Sequence, residues 1–273
     1  MLKPEKNSSG ANTSGDEIVV IDRVPMLASL VNNPGERFRP AHLNFDCGNL
    51  EGWSALRLVS SYSAMVQSEV VRIGRYAVRC ELRKNDYISQ GARAELRDWL
   101  NAPLEKEIWY GFSTLIPQGF PIDEGVGCVL AQWHDQARKG DPSGKPPIAI
   151  RYKEGRLFIT GAYSPVASPD PQARYEFYSH DDFPTGVWHD FIFRVFWSQH
   201  GDSEIEAWLN TEKMFTYRGK LGYENESIGP YFKMGMYCHG PLEMPHIVYH
   251  DNYSRGHSYL EVDPSFLHES TGA

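Results

Sequence analysis

Tyr231-Phe232-Lys233-Met234-Gly235-Met236-Tyr237 alternates polar and apolar side chains. In a β-strand, residues two apart share a face. Lys233 and Tyr237 therefore lie on one face, and Phe232, Met234 and Met236 on the other. Two further stretches behave alike. Arg93-Ala94-Glu95-Leu96-Arg97 puts its three charges on one face, and Gln132-Trp133-His134 pairs Gln132 with His134. The intervening apolar residues suit a core. The Arg, Gln, His, Lys and Tyr side chains together suit an anionic sugar acid and its proton chemistry.

Working outward, short apolar or alternating runs recur from Leu43 onward, cut by Gly, Pro, Asn and Asp. Candidate strands are Ala55–Val59, Val66–Ile73, Tyr76–Leu82, Gln90–Arg97, Glu107–Leu115, Cys128–His134, Ile148–Tyr152, Arg156–Thr160, Trp188–Trp197, Glu204–Leu209, Tyr231–Cys238 and Pro245–Tyr253. One helical turn is expected in Asp98–Pro103. Regular short strands with little helix predict an all-β, two-sheet sandwich. Long polar loops are expected at Asp135–Pro147 and Tyr163–Pro184, the second carrying Pro165, Pro169, Pro171 and Pro184. Such loops often border binding sites. Residues 1–17 read as a disordered polar tail, 18–42 as a lead-in arm, 43–265 as one domain, and 266–273 as a C-terminal tail.

The 273 residues carry a net charge of −8. That balance argues against nucleic acid as a partner. An acidic protein can still bind an acidic polymer through a locally basic groove. No apolar run is long enough to span a membrane, and no signal peptide is visible: Ile18-Val19-Val20-Ile21 is too short for its core. The spacing of Cys47, Cys80, Cys128 and Cys238 fits no zinc pattern, and the four are too sparse for a disulfide-built scaffold. Buried free thiols are expected rather than one disulfide. Cys238 adjoins Tyr237 and should face the opposite way.

The three opening motifs, in this order, resemble those of the jelly-roll polysaccharide lyases. Alginate lyases of that group carry Arg-x-Glu-Leu-Arg, Gln-x-His and Tyr-Phe-Lys-x-Gly-x-Tyr strands. Trp133 at the centre of the second motif is similar to the glucuronan lyase and heparin-lyase-like branch. So are Trp109-Tyr110-Gly111-Phe112-Ser113, Gly186-Val187-Trp188-His189-Asp190-Phe191, Glu206-Ala207-Trp208-Leu209-Asn210 and Tyr249-His250-Asp251-Asn252-Tyr253. The resemblance runs from about Leu43 to about Tyr259. It implies a β-jelly-roll with a concave substrate face, acting on a β-1,4-linked polyuronate by β-elimination. Glucuronan is the first expectation, with mannuronate-rich alginate and a heparin-like glycosaminoglycan as alternatives. It implies a secreted or periplasmic monomer and no cofactor in the chemistry. A structural calcium ion away from the site is also implied, with Asp46 and Asp251 as candidate ligands.

β-Elimination sets three tasks: neutralise the uronate carboxylate, take the C5 proton, and protonate the departing C4 oxygen. Gln132, His134 and Arg93 are candidates for the first. Tyr237 is the candidate proton carrier. A free phenol near pKa 10 is a poor base at neutrality, and adjacent cations favour the phenolate. Lys233, Arg97 and Glu95 are candidate substrate-binding residues, although Glu95 in particular suits a bridge to its strand neighbours. Trp133, Trp109, Trp188 and Trp208 suit a core. Two rival readings stand beside this one. A non-catalytic carbohydrate-binding module shares the architecture. A glycoside hydrolase needs two facing carboxylic acids; only Glu204 and Glu206 pair up.

Overall fold

The computed structural model describes residues 38–265, apart from 89–90, 123–124, 137–139, 141 and 143. The tail 1–17, most of the arm 18–42 and the tail 266–273 lie outside the described residues. The strands are β1 (Ala41–Leu43), β2 (Ala55–Leu58), β3 (Ala64–Gln67), β4 (Ala77–Leu82), β5 (Tyr87–Ile88), β6 (Gly91–Asn101), β7 (Glu107–Leu115), β8 (Gly127–His134), β9 (Ile148–Lys153), β10 (Arg156–Ser164), β11 (Ala173–His180), β12 (Trp188–Phe196), β13 (Ser203–Leu209), β14 (Glu212–Gly219), β15 (Gly222–Tyr223), β16 (Tyr231–His239) and β17 (His246–Gly256). A single helical turn, α1 (Tyr259–Val262), follows.

Two sheets form. One is ordered β14-β13-β12-β7-β17-β4-β3, with β1 added to β17. The other is ordered β11-β10-β9-β8-β16-β6-β2, with β15 on β10 and β5 on β6. The three opening motifs are thus neighbours in the second sheet, with β16 between β6 and β8. The all-β sandwich expected from the alternation is the one observed.

The alternation decides which side chains meet between the sheets. Trp133 and Phe232 point inward from β8 and β16 and are fully buried. They meet Tyr110 of β7 and Phe193 of β12, with Trp133 lying 5.2 Å and 4.8 Å from the two rings. Phe232 stacks on Tyr253 of β17 at 4.7 Å. Offset and edge contacts of this kind add to simple area burial. With its apolar face spent on the core, the sheet turns the other face of all three motifs outward.

Three expectations need correction. Asp98–Pro103 forms no helical turn, because β6 continues to Asn101. Asp98 is instead buried and takes both Arg255 Nη1 at 2.8 Å and the Tyr253 hydroxyl at 2.5 Å. That ion pair pins β6 to β17 across the core. Tyr163–Pro184 is not all loop, since β11 lies within it and pairs with β10. Finally, two cysteines are not free. Cys128 and Cys238 form a disulfide between β8 and β16, facing inward as Cys238 was expected to. They sit directly opposite each other in the register, which a sequence cannot disclose. Cys47 and Cys80 are free thiols, but only Cys80 is buried as expected; Cys47 is exposed.

Candidate active site

The site grows from a bulge. Gly235 has φ +130°, and a Cβ there would lie 2.1 Å from the Ala94 carbonyl oxygen. Only glycine fits. The register between β16 and β8 shifts between Met234 and Tyr237. Val129 of β8 thereby comes opposite Tyr237, while Gln132 stays opposite Lys233. From the other sheet His250 braces the bulge. Its Nε2 donates to the Gly235 carbonyl at 2.9 Å, and its Nδ1 accepts from Thr114 Oγ1 at 3.0 Å. Burial pulls the His250 pKa down to about 4, which keeps the ring neutral for this role.

Beneath the outward face lies a buried ionic cluster centred on Glu95. Lys233 Nζ and Gln132 Nε2 donate to it at 3.0 Å and 2.5 Å, and Arg93 Nη1 at 3.3 Å. Burial alone would raise the Glu95 pKa, but the Lys233 and Arg93 charges overcome it and hold the carboxyl below its ordinary value. The Glu95 and Lys233 side chains are each only 4 % exposed. Both were expected to meet substrate. Neither lines the cleft that opens above, and both instead act as props that fix Arg93 and Gln132.

Above them opens a cleft of about 370 Å³. Arg93, Gln132, His134 and Tyr237, the four candidates for chemistry, all line it. The Arg93 guanidinium lies over the Tyr237 ring at 4.0 Å. The ring fits because residue 91 is glycine, where a Cβ would come 2.3 Å from Tyr237 Cε2. Arg93 Nε is buried with no hydrogen-bond partner among the described residues, a donor available to a ligand. Arg97 stands apart. Its guanidinium covers the Tyr231 ring at 3.7 Å and bonds Gln136 Oε1 at 3.1 Å, outside the cleft lining.

Several residues were not anticipated. Asp135 directly follows the second motif; its backbone carbonyl accepts from His134 Nδ1 at 3.1 Å, and its buried Oδ1 lies 2.7 Å from the same nitrogen. A carboxylate there favours the proton on Nδ1 and leaves Nε2 as the basic nitrogen. Asp135 Oδ2 accepts from Gly144 N at 3.0 Å, tying the 135–147 loop to the histidine. Lys145 of that loop, Arg151 of β9, Arg174 and Tyr175 of β11, and His239 also line the cleft. A charged residue inside the apolar run Ile148-Ala149-Ile150-Arg151-Tyr152 was the signal to read. Both expected border loops contribute, and the lining is basic although the chain is acidic.

Asp46 and Asp251 lie away from the cleft, around the turn at residues 72–76. Asp251 Oδ2 accepts from the Arg72 and Ile73 amides, and Asp46 Oδ1 from those of Arg75 and Tyr76. The two carboxylates are near enough for the Asp46 charge to act on Asp251.

The fold and cleft define a two-sheet all-β protein with a cleft lined by basic side chains and by Tyr237. The sequence matches the polysaccharide lyase family over residues 45–254, most of the chain, and the protein belongs to that family. A search of curated protein sequences finds no match. Among solved structures, endo-β-1,4-glucuronan lyase from the fungus Trichoderma reesei superposes with a TM-score of 0.68 at 16 % identity, covering 82 % of this chain and 98 % of that one. Alginate lyase A1-II', of polysaccharide lyase family 7, gives 0.53 at 14 % identity, covering 73 % and 85 %. Alginate lyase Aly36B gives 0.53 at 12 % identity, covering 80 % and 96 %. These likenesses are of fold. The family makes the protein a lyase, and the rival readings of a binding module or a hydrolase fall away.

Proposed function

We propose that the protein cleaves a β-1,4-linked polyuronate by β-elimination, with glucuronan as its substrate. The observation that carries this is the meeting of Arg93, Gln132, His134 and Tyr237 on one cleft wall. Gln132, His134 and Arg93 hydrogen-bond the uronate carboxylate, where charge grows as the C5 proton leaves. The electron pair of the C5–H bond becomes the C4–C5 double bond, the C4–O bond breaks, and the departing oxygen takes a proton. In glucuronate and mannuronate, the C5 proton and C4 oxygen lie on the same side of the ring. Tyr237 then suffices both to abstract and to return the proton. Where they lie on opposite sides, His134 Nε2 is the natural base and Tyr237 the acid.

The choice of glucuronan rests on Trp133 in the second motif and on the glucuronan lyase among the similar folds. Mannuronate-rich alginate, which needs the same same-side chemistry, is the second choice. Incubation with glucuronan, alginates and heparin, followed by absorbance of the unsaturated product, tests the reading. A rise fastest with glucuronan is expected. No rise with any polyuronate would remove it.

The reading includes a monomer that works outside the cell, which the disulfide suits, and a structural calcium ion at Asp46 and Asp251. The two carboxylates are hard oxygen ligands of the kind calcium takes, but each already accepts backbone amides, and no third His, Cys, Asp or Glu joins them among the described residues. Such an ion supplies charge balance to the fold and takes no part in the elimination.

A further inference from the structure

One row of the sheet reads Arg93, Tyr237, Val129, Arg151 across β6, β16, β8 and β9. Tyr237 therefore has an arginine on each flank. The outer two strands are three spacings apart, about 14 Å, so the two guanidiniums enter the cleft from opposite sides. Their circumstances differ. Arg93 shares Glu95 with Lys233. Arg174 pairs with Asp170 at 2.8 Å. Arg151 pairs with no carboxylate among the described residues. Its Nε donates to Thr160 Oγ1 at 2.9 Å, a neutral partner that aims the group without balancing its charge. A half-buried cation with no carboxylate beside it favours the arrival of an anion. Burial pulls its pKa below the ordinary arginine value; Tyr237 opposes that shift and Arg174 adds to it.

We propose that Arg151, aimed by Thr160, binds the carboxylate of a uronate unit next to the one being cleaved. This deepens, and rests on, the polyuronate reading. The enzyme then recognises two acid groups at once, one at the Arg93–Gln132–His134 wall and one at Arg151. Chains acidic in every unit are preferred over chains in which uronates alternate with neutral sugars.

Steady-state kinetics on glucuronan, and on the same polymer with part of its carboxylates reduced to alcohols, tests this. For Arg151→Met, KM on glucuronan rises at least tenfold while kcat stays within about threefold. Wild type loses more in KM on the reduced polymer than Arg151→Met does, because the variant feels only the loss of cleavable units and not the loss of the neighbouring acid group. An unchanged KM overturns the proposal. A fall in kcat at constant KM also overturns it, by assigning Arg151 to Tyr237 instead of substrate. Thermal melting checks the fold. If Arg151→Met does not fold, Thr160→Val and Arg151→Lys carry the test, with intermediate rises in KM expected and unchanged values in both overturning it. A wild type that cleaves no polyuronate defeats the parent reading, and this proposal with it.

Discussion

Among the features that hold the Tyr237 ring are three: the Arg93 guanidinium, the His239 ring at 4.3 Å, and the missing side chain of Gly91. None of the three depends on its hydroxyl. Tyr237→Phe should therefore keep the packing and shift stability by about 1 kcal/mol or less. Turnover should fall by about a thousandfold if the phenol carries the proton. A variant keeping more than about a tenth of wild-type turnover removes Tyr237 from the chemistry and leaves His134 as the carrier to test. Arg93, Gln132, His134 and Tyr237 were legible in the sequence because strand parity alone puts each on the polar face of its own motif. Asp135 and Arg151 were not. Their parts depend on the fold of a loop and on a bulged register between strands distant in the chain.

At the scale of the strand, Glu95 is where three elements are joined, since β6, β8 and β16 each send it a donor. Glu95→Gln removes the buried charge that Lys233 and Arg93 both meet, and a broken buried pair costs about 3–5 kcal/mol. The variant should melt earlier and lose activity together, through misplaced Arg93 and Gln132. The pH dependence has a definite sign. Because the folded pKa of Glu95 is lowered, its stabilisation is fully present above the ordinary glutamate value of 4.5 and is lost as pH falls through the lowered value. Melting temperature followed into acid should show this loss in wild type and a flatter curve in Glu95→Gln. Equal acid slopes in the two proteins would count against the cluster. Most of the long strands were readable, with ends displaced by a few residues, but β14 was missed along with β11, and the strand expected at Val66–Ile73 ends at Gln67. β11 escaped because prolines crowd its approaches, although Arg174-Tyr175-Glu176-Phe177 alternates as an edge strand should. Asp98 looked like a turn former, yet its partner Arg255 lies far along the chain and draws it into the core.

For the whole molecule, the calcium proposal predicts a melting temperature that rises with added calcium and falls in chelator, with lyase activity at low temperature unchanged. Asp251→Asn should abolish the response; a response that persists in that variant places the ion elsewhere. The disulfide reaches equally far. Cys128 and Cys238 are 110 residues apart, and the strands they join carry Gln132, His134, Lys233 and Tyr237. Closing a loop of that size is worth about 4.7 kcal/mol in the chain-entropy view. A freshly synthesised chain that has not met an oxidant has this seam laced by ladder bonds alone. Oxidation of the two thiols thus completes the catalyst, and because both face the core, a reductant in the buffer reaches the finished bond only when the sandwich opens.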